Sequence, residues 1–184
     1  MEQGMEPTAL LLSALEFAAA KHRDQRRKGR GASPYINHPI EVARALAQIG
    51  GVTDPEILSA AILHDTVEDT QTTPLEIEEV FGRRVRTLVE EVTDDKKLSR
   101  AEQRRLQIVH APTLSPGARL IKLGDKLCNV HDVIHDPPPS WDPVRRREYI
   151  AWAKEVVGQI RGTNSALEET FDKLLAESAA VLDG

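Results

Sequence analysis

Along this chain apolar residues return every three or four positions, and no stretch alternates apolar with polar residues over the length of a strand. Between the apolar repeats stand Gly, Pro and small capping residues, the punctuation of helices. Thr8 is placed to cap a first helix with Leu11, Leu15, Ala18 and Ala19 facing inward. A basic stretch follows (Lys21, Arg23, Arg26, Arg27, Lys28, Arg30), and Gly29, Gly31 and Pro34 mark a loop. Pro39 suits the first position of a second helix carrying Ile40, Val42, Ala43 and Leu46 and closed by Gly50-Gly51. Asp54-Pro55 opens a third in the same way, with Ile57, Leu58, Ala61 and Ile62 on one face, running on through His64 to Asp69.

Thr73-Pro74-Leu75-Glu76 is a capping box for a short helix that ends at Gly82. Val85, Leu88, Val89 and Val92 space the next, and Thr93-Asp94-Asp95-Lys96 is a turn. Ser99-Arg100-Ala101-Glu102 predicts a second capping box, with a helix stopping near Pro112. Ser115-Pro116 starts a long apolar helix with Leu120, Leu123, Leu127 and Val130, ended by Asp136-Pro137-Pro138-Pro139. Asp142-Pro143 starts another with Tyr149, Trp152 and Val156, closed by Gly162, and Leu167, Phe171, Leu174 and Leu175 mark the last. The pattern predicts an all-α fold: one compact helical bundle over residues 1–184, with no linker long enough to divide it.

Composition narrows the class of function. The net charge of −5 excludes a generic nucleic-acid binder, so affinity for polyanions must come from a local patch. Cys128 is the only cysteine, which excludes an internal disulfide and a Cys-rich zinc site and fits a reducing, cytoplasmic setting. Met1 to Pro7 lacks the basic and apolar regions of a signal peptide, and no apolar run approaches membrane-spanning length.

The chemistry concentrates in Ala61-Ile62-Leu63-His64-Asp65-Thr66-Val67-Glu68-Asp69-Thr70. On a helix, His64 and Glu68 lie one turn apart, as do Asp65 and Asp69, while His64 and Asp65 both reach an ion beside the axis. The apolar face beside them predicts burial, where imidazole and carboxylate are costly unless paired or ligating. A satisfied polar patch is the plainer alternative, and a lone His-Asp pair would favour it. Partners exist elsewhere, however. Asp125 interrupts an apolar run, with Gly124 leaving room for close approach and Asn129 following one turn later. His38 stands at the mouth of the second helix, where capping is the alternative role. Two imidazoles and two carboxylates suit Mn²⁺, Fe²⁺ or Zn²⁺, and the lack of thiolate leans to Mn²⁺. Such an ion lowers the pKa of bound water and polarises a phosphoryl oxygen. Glu68 and Asp69 are then placed to orient or deprotonate the water, against the alternative of a solvated helix end.

The basic stretch around Arg27-Lys28 has three readings: a solvated face, a nucleic-acid patch, or a seat for a phosphorylated small molecule. Aromatic residues are only 4 % and none is interleaved there, which weakens the second. Arg27-Lys28 lies a loop away from His38, and cations beside a metal select a polyphosphate.

These motifs occur together in one known family. Arg-Arg-Lys, Pro-Tyr-Ile-Asn-His-Pro, Leu-His-Asp-Thr-Val-Glu-Asp-Thr, Val-Thr-Asp-Asp-Lys, Lys-Leu-Gly-Asp-Lys-Leu-Cys-Asn, Glu-Tyr-Ile-Ala-Trp-Ala and Arg-Gly-Thr-Asn follow in order. The chain resembles, over nearly its whole length, the small alarmone hydrolases, stand-alone HD-domain relatives of the hydrolase half of RelA/SpoT enzymes. The resemblance implies an all-helical HD fold and a Mn²⁺-dependent enzyme with one ion per chain that removes the 3′-pyrophosphate of ppGpp or pppGpp, yielding GDP or GTP. By motif it implies His38, His64, Asp65 and Asp125 as ligands and Glu68-Asp69 as water activator. It implies Arg27, Lys28 and Asn129 as nucleotide or phosphate contacts, with Arg100, Arg145 and Tyr149 as further substrate contacts. Gly124 and Cys128 depart from the family, which carries Ala and a bulkier residue there; Cys128, next to Asn129, is expected to alter the base pocket. With the chain ending at Gly184, no synthetase or regulatory domain is expected.

Two other readings compete: the same chemistry on another nucleotide ((p)ppApp or the 2′-phosphate of NADPH), and a non-catalytic nucleotide sensor. The Glu68-Asp69 pair argues against the sensor, which needs no water activator. The expected partner is a guanosine or adenosine tetra- or pentaphosphate, without nucleic acid or membrane; the sequence leaves open the base, the native metal and the oligomeric state, a homo-oligomer included.

Overall fold

The computed structural model describes residues 5–183 and is helical throughout. In chain order the helices are α1 (Pro7–Lys21), α2 (Asn37–Gln48), α3 (Pro55–Leu63), α4 (Thr66–Asp69), α5 (Pro74–Phe81), α6 (Arg83–Val92), α7 (Arg100–His110), α8 (Pro116–His135), α9 (Pro143–Gly158) and α10 (Ser165–Asp183). A single 3-10 turn, Ala111–Thr113, follows α7. Among the described residues the only extended pairing is an isolated bridge between Arg26 and Pro34, which closes the basic loop. The signal-peptide reading falls largely on Met1–Gly4, and these, like Gly184, lie outside the described residues. No helix of the described residues is long and apolar enough to cross a membrane.

Helix α3 is the hub, packed against α1, α2, α6 and α8, and α8 in turn carries α9 and α10. Leu46, Leu63, Ile77, Ile121, Leu123 and Phe171 are fully buried where these helices meet, in one hydrophobic core. Burying side chains of this size contributes about 1.5–3 kcal/mol each before entropy is charged against it.

Several helix ends differ from expectation. Pro7, not a capped Thr8, opens α1; Glu6 precedes it without a side-chain cap, and Thr8 lies inside the first turn. Its buried line is Leu10, Ala14 and Ala18, with Leu11 and Leu15 on the margin and Ala19 exposed. Helix α2 begins at Asn37, ahead of Pro39, which places His38 within its first turn; Ile40 is 41 % exposed, and Val42, Ala45 and Leu46 form the inner face. The Thr73 capping box is complete. At Ser99 only half forms: its hydroxyl accepts from the Glu102 N–H, but the Glu102 carboxylate turns to Arg105, a charged partner that outbids the backbone amide. Helix α9 stops at Gly158, short of Gly162, and Asn164 caps α10 through its Oδ1 while its Nδ2 donates to the Gly50 carbonyl.

Candidate active site

The stretch expected to be one helix is two. Helix α3 starts on Asp54, whose carboxylate accepts from the Glu56 and Ile57 N–H groups, and ends at Leu63. His64 and Asp65 form a turn, and α4 resumes at Thr66. Side chains take the carbonyls that a continuing helix would use: His64 Nδ1 donates to the Ala61 carbonyl at 2.7 Å, and Thr66 Oγ1 to that of Leu63 at 2.6 Å. The break turns His64 and Asp65 toward the same point rather than leaving them on a regular helical face.

Three segments meet there. His38 comes from the first turn of α2, His64 and Asp65 from the α3–α4 junction, and Asp125 from the middle of α8. His64 Nε2 is 3.1 Å from Asp65 Oδ2 and 3.7 Å from Asp125 Oδ1. His38 Nε2 is 3.2 Å from Asp125 Oδ1 and 3.8 Å from Asp65 Oδ2. Donor atoms of His38, His64 and Asp65 all lie within 4.8 Å of one another, and Asp125 brings Oδ1 toward both imidazoles.

The His64 tautomer tests whether a cation fits. A carbonyl only accepts, so its contact with Ala61 puts the proton on Nδ1. Nε2 is buried without a hydrogen-bond partner, and its lone pair faces two carboxylate oxygens. That is repulsive unless a proton or a metal ion lies between them. Burial alone lowers the His64 pKa, yet Asp65 and Asp125 overcome it and push it up to about 10; both carboxylates are held well below their usual range. The centre demands positive charge, and its nitrogen and oxygen donors form a candidate metal site. Nδ1 of His38 is also buried without a partner, so no backbone acceptor locks that imidazole into one tautomer.

The groups behind the donors are held as well. Tyr35 Oη donates to Asp65 Oδ2 at 2.7 Å. Asn129 Nδ2 donates to Asp125 Oδ1 at 2.5 Å, while Lys126 Nζ holds Oδ2 at 2.9 Å. The Lys126 ammonium is buried against the face of Trp152, 4.5 Å from the ring centre, and Asp125 keeps it charged against the pull of burial. Gly124 permits the expected close approach, and the partner is α2: a Cβ there would come within 3.0 Å of Leu46 and 3.2 Å of Val42, so the missing side chain lets α2 and α8 approach.

A cleft of about 530 Å³ opens over the donors. Glu68 and Asp69 both line it, in different settings. Glu68 is largely buried, accepts one bond from the Asp94 N–H at 3.0 Å, and has its pKa pushed up to about 7, chiefly by burial. Asp69 accepts from Lys96 at 2.8 Å and from Tyr35 Oη at 3.2 Å, so its oxygens are already engaged. Arg27 crosses the cleft floor, donating to Asn129 Oδ1 at 3.0 Å and Asp132 Oδ2 at 2.6 Å. Lys28 and Arg100 stand exposed at the rim, and Tyr149 forms the far wall, its phenol pushed up to about 12 by burial. Arg145 does not line the cleft; its guanidinium lies on Trp141, 4.8 Å from the ring centre, in an adjoining groove shared with Arg100 and Arg104.

Cys128 faces away, into a groove between α2, α8 and α10 lined by Glu41, Arg44 and Leu174, so it does not shape the cleft. Tyr35, Lys126, Asp132, Asp94 and Arg104 escaped the sequence reading. Tyr35 and Lys126 stood inside motifs already singled out, next to or near a donor, and that adjacency was the available signal.

The fold and the donor set define a class: the HD-domain family model matches residues 14–153, so this is an HD-domain protein. The chain is 54 % identical over 169 residues to the guanosine-3′,5′-bis(diphosphate) 3′-pyrophosphohydrolase MESH1 of Homo sapiens, covering 92 % of this chain and 94 % of that protein. It is 46 % identical over 171 residues to the MESH1 of Drosophila melanogaster, covering 93 % and 96 %. A solved structure of a metazoan ortholog of SpoT that hydrolyses ppGpp superposes with a TM-score of 0.91 at 45 % identity, covering 95 % of this chain and 98 % of that one. The chain belongs to the MESH1 family of guanosine-3′,5′-bis(diphosphate) 3′-pyrophosphohydrolases.

Proposed function

We propose that this chain is a Mn²⁺-dependent hydrolase that removes the 3′-pyrophosphate of ppGpp or pppGpp, leaving GDP or GTP. The observation that carries the reading is the buried, unpartnered Nε2 of His64 facing two carboxylates on the floor of a cation-lined cleft. The family supports the substrate. His38, His64, Asp65 and Asp125 would hold the ion. Mn²⁺ is the ion that the resemblance to the alarmone hydrolases implies, and the nitrogen and oxygen donors accommodate it. When bound, the ion supplies Lewis acidity toward water and phosphoryl oxygen.

The chain's own groups do the rest. Glu68, with a pKa near neutrality, takes a proton from the attacking water. Asp69, fixed by Lys96 and the Tyr35 hydroxyl, orients that water through a remaining lone pair. The water oxygen joins phosphorus, the bond from phosphorus to the 3′-oxygen breaks, and the 3′-oxygen leaves with the electron pair and takes a proton from solvent, to which Glu68 returns the one it took. Arg27, held in place by Asn129 and Asp132, presents charge to the pyrophosphate, and Lys28 and Arg100 add to it from the rim. Tyr149 walls the nucleotide, and Arg145 acts from the adjoining groove through Trp141. Residues 1–184 work as one catalytic domain, in a reducing cytoplasm that suits a lone buried thiol.

Incubating metal-stripped protein with ppGpp, ppApp and NADPH, with and without Mn²⁺ or Mg²⁺, tests the reading. The expected result is Mn²⁺-restored release of pyrophosphate from ppGpp ahead of the other two. Full hydrolysis in excess chelator, or none of ppGpp with Mn²⁺, would overturn it.

A further inference from the structure

Outside the cleft, α8 carries a second set of metal-ligating side chains. His131 and His135 lie one helical turn apart near its C-terminal end, so both imidazoles project from one face. Their ring centres are 4.3 Å apart. Glu177 of α10 brings Oε1 to 3.3 Å from His135 Nε2. The three side chains are 58 %, 42 % and 43 % exposed, open to an ion from solvent.

The segment His131-Asp132-Val133-Ile134-His135 has the spacing with which two histidines on one helix face hold zinc. Asp132 is unsuited to be the third ligand, because its Oδ2 is committed to Arg27. Glu177 is the carboxylate in reach from a neighbouring helix. An exposed His–Glu pair alone contributes little, and two imidazoles tilted at 47° with centres 4.3 Å apart repel each other once both are protonated. A shared cation removes that repulsion. The surroundings favour one: Asp132, Glu41 and Glu177 all place negative charge near His131 and raise its pKa, Asp132 foremost.

We propose that His131, His135 and Glu177 form a peripheral Zn²⁺ site that ties α8 to α10. Imidazole and carboxylate suit Zn²⁺, and a water completes four-coordination. Among the described residues the cleft holds the one trio whose donors already lie within 4.8 Å of each other. At the peripheral site His131 must therefore rotate its exposed ring from Asp132 toward Glu177.

Calorimetric titration of metal-stripped protein with Zn²⁺ decides the matter. The parent is expected to bind two ions, one in the cleft and one at the periphery. His135→Ala is the cleaner variant, since His131 adjoins the aspartate that holds Arg27; it is expected to bind only the cleft ion. Asp125→Ala is expected to keep only the peripheral one, so loss of the cleft reading leaves this site still measurable. Glu177→Gln is expected to weaken the peripheral site by at least about tenfold, the loss usual for even an outer partner of a metal ligand. His135→Ala binding as many ions as the parent, Asp125→Ala binding none, or Glu177→Gln matching parental affinity would each overturn the proposal.

Discussion

The cleft has two unlike walls. On one, His38 and His64 are buried and Asp65 and Asp125 only slightly exposed, and groups such as Tyr35, Lys126 and the Ala61 carbonyl engage them from behind. On the other, Lys28 and Arg100 are exposed, and Arg104 is restrained mainly by packing on Tyr149 and Trp152, while Arg145 lies on Trp141 in the adjoining groove. Under the proposed function the difference follows from what each wall must do. A metal site works only with its ligands fixed to about half an ångström, so it belongs where helices pack. A polyphosphate spreads its charge over many oxygens, so exposed cations meet it without such precision. Glu68 and Asp69 sit at the seam. The buried one of the pair has the near-neutral pKa a general base needs, and the other is tied up by Lys96 and Tyr35.

The largest effect should come from breaking the buried wall. Asp125→Ala is expected to abolish hydrolysis and to lower metal content, measured together by elemental analysis and product release. A variant that keeps parental metal content would make Asp125 a packing residue. Next comes the seam. Glu68→Gln should keep metal content and Tm near parental values and slow single-turnover hydrolysis by about 10²–10⁴, the usual cost of losing a general base. Its protonation sets a pH limb as well. With a pKa of about 7, Glu68 is competent only once deprotonated, so the rate should rise with pH up to that value and then level. The residual rate of Glu68→Gln should lack that limb; a limb that survives assigns the base elsewhere.

A smaller loss is expected one layer out. Tyr35→Phe removes only the hydroxyl that holds Asp65 and Asp69, and should cost on the order of 10–100-fold in metal affinity or activity. Parental values for both would leave Tyr35 as mere filling between His22 and Arg27. The exposed wall should respond least. Arg27→Ala, on the cleft floor beneath it and held by two charge-assisted bonds, should raise KM about tenfold or more. Arg30→Ala, from the same basic run, should change KM little, because its backbone N–H, not its guanidinium, anchors the loop on Asp136. Equal small effects from both would make the whole run a solvated face.

Much of this was legible without coordinates. Helical spacing and caps located the elements, because periodicity and capping are local properties of a few consecutive residues. That His38, His64, Asp65 and Asp125 come together was legible too, since a carboxylate or imidazole inside an apolar run is costly enough to require a reason. The failures were of another kind. The α3 break depends on competition between side chains and carbonyls within one turn, and a sequence pattern does not say which acceptor wins. The Ser99 box was lost to Arg105, and Thr8 proved to be inside its helix rather than ahead of it, both outcomes of close contests at helix ends.

The sequence by itself determined the helices, the donor types and the sign of the charge beside them. Those follow from residue chemistry and from neighbours within a turn or two. Only the tertiary structure decided that Cys128 faces away from the cleft, that Gly124 serves the contact of α2 with α8, and that Arg145 stands in a side groove. Each depends on which face of a helix meets which partner, fixed by packing between segments far apart in the chain. The same holds for Glu68: the bare carboxyl group has an ordinary pKa, and burial beneath the Asp94 turn raises it.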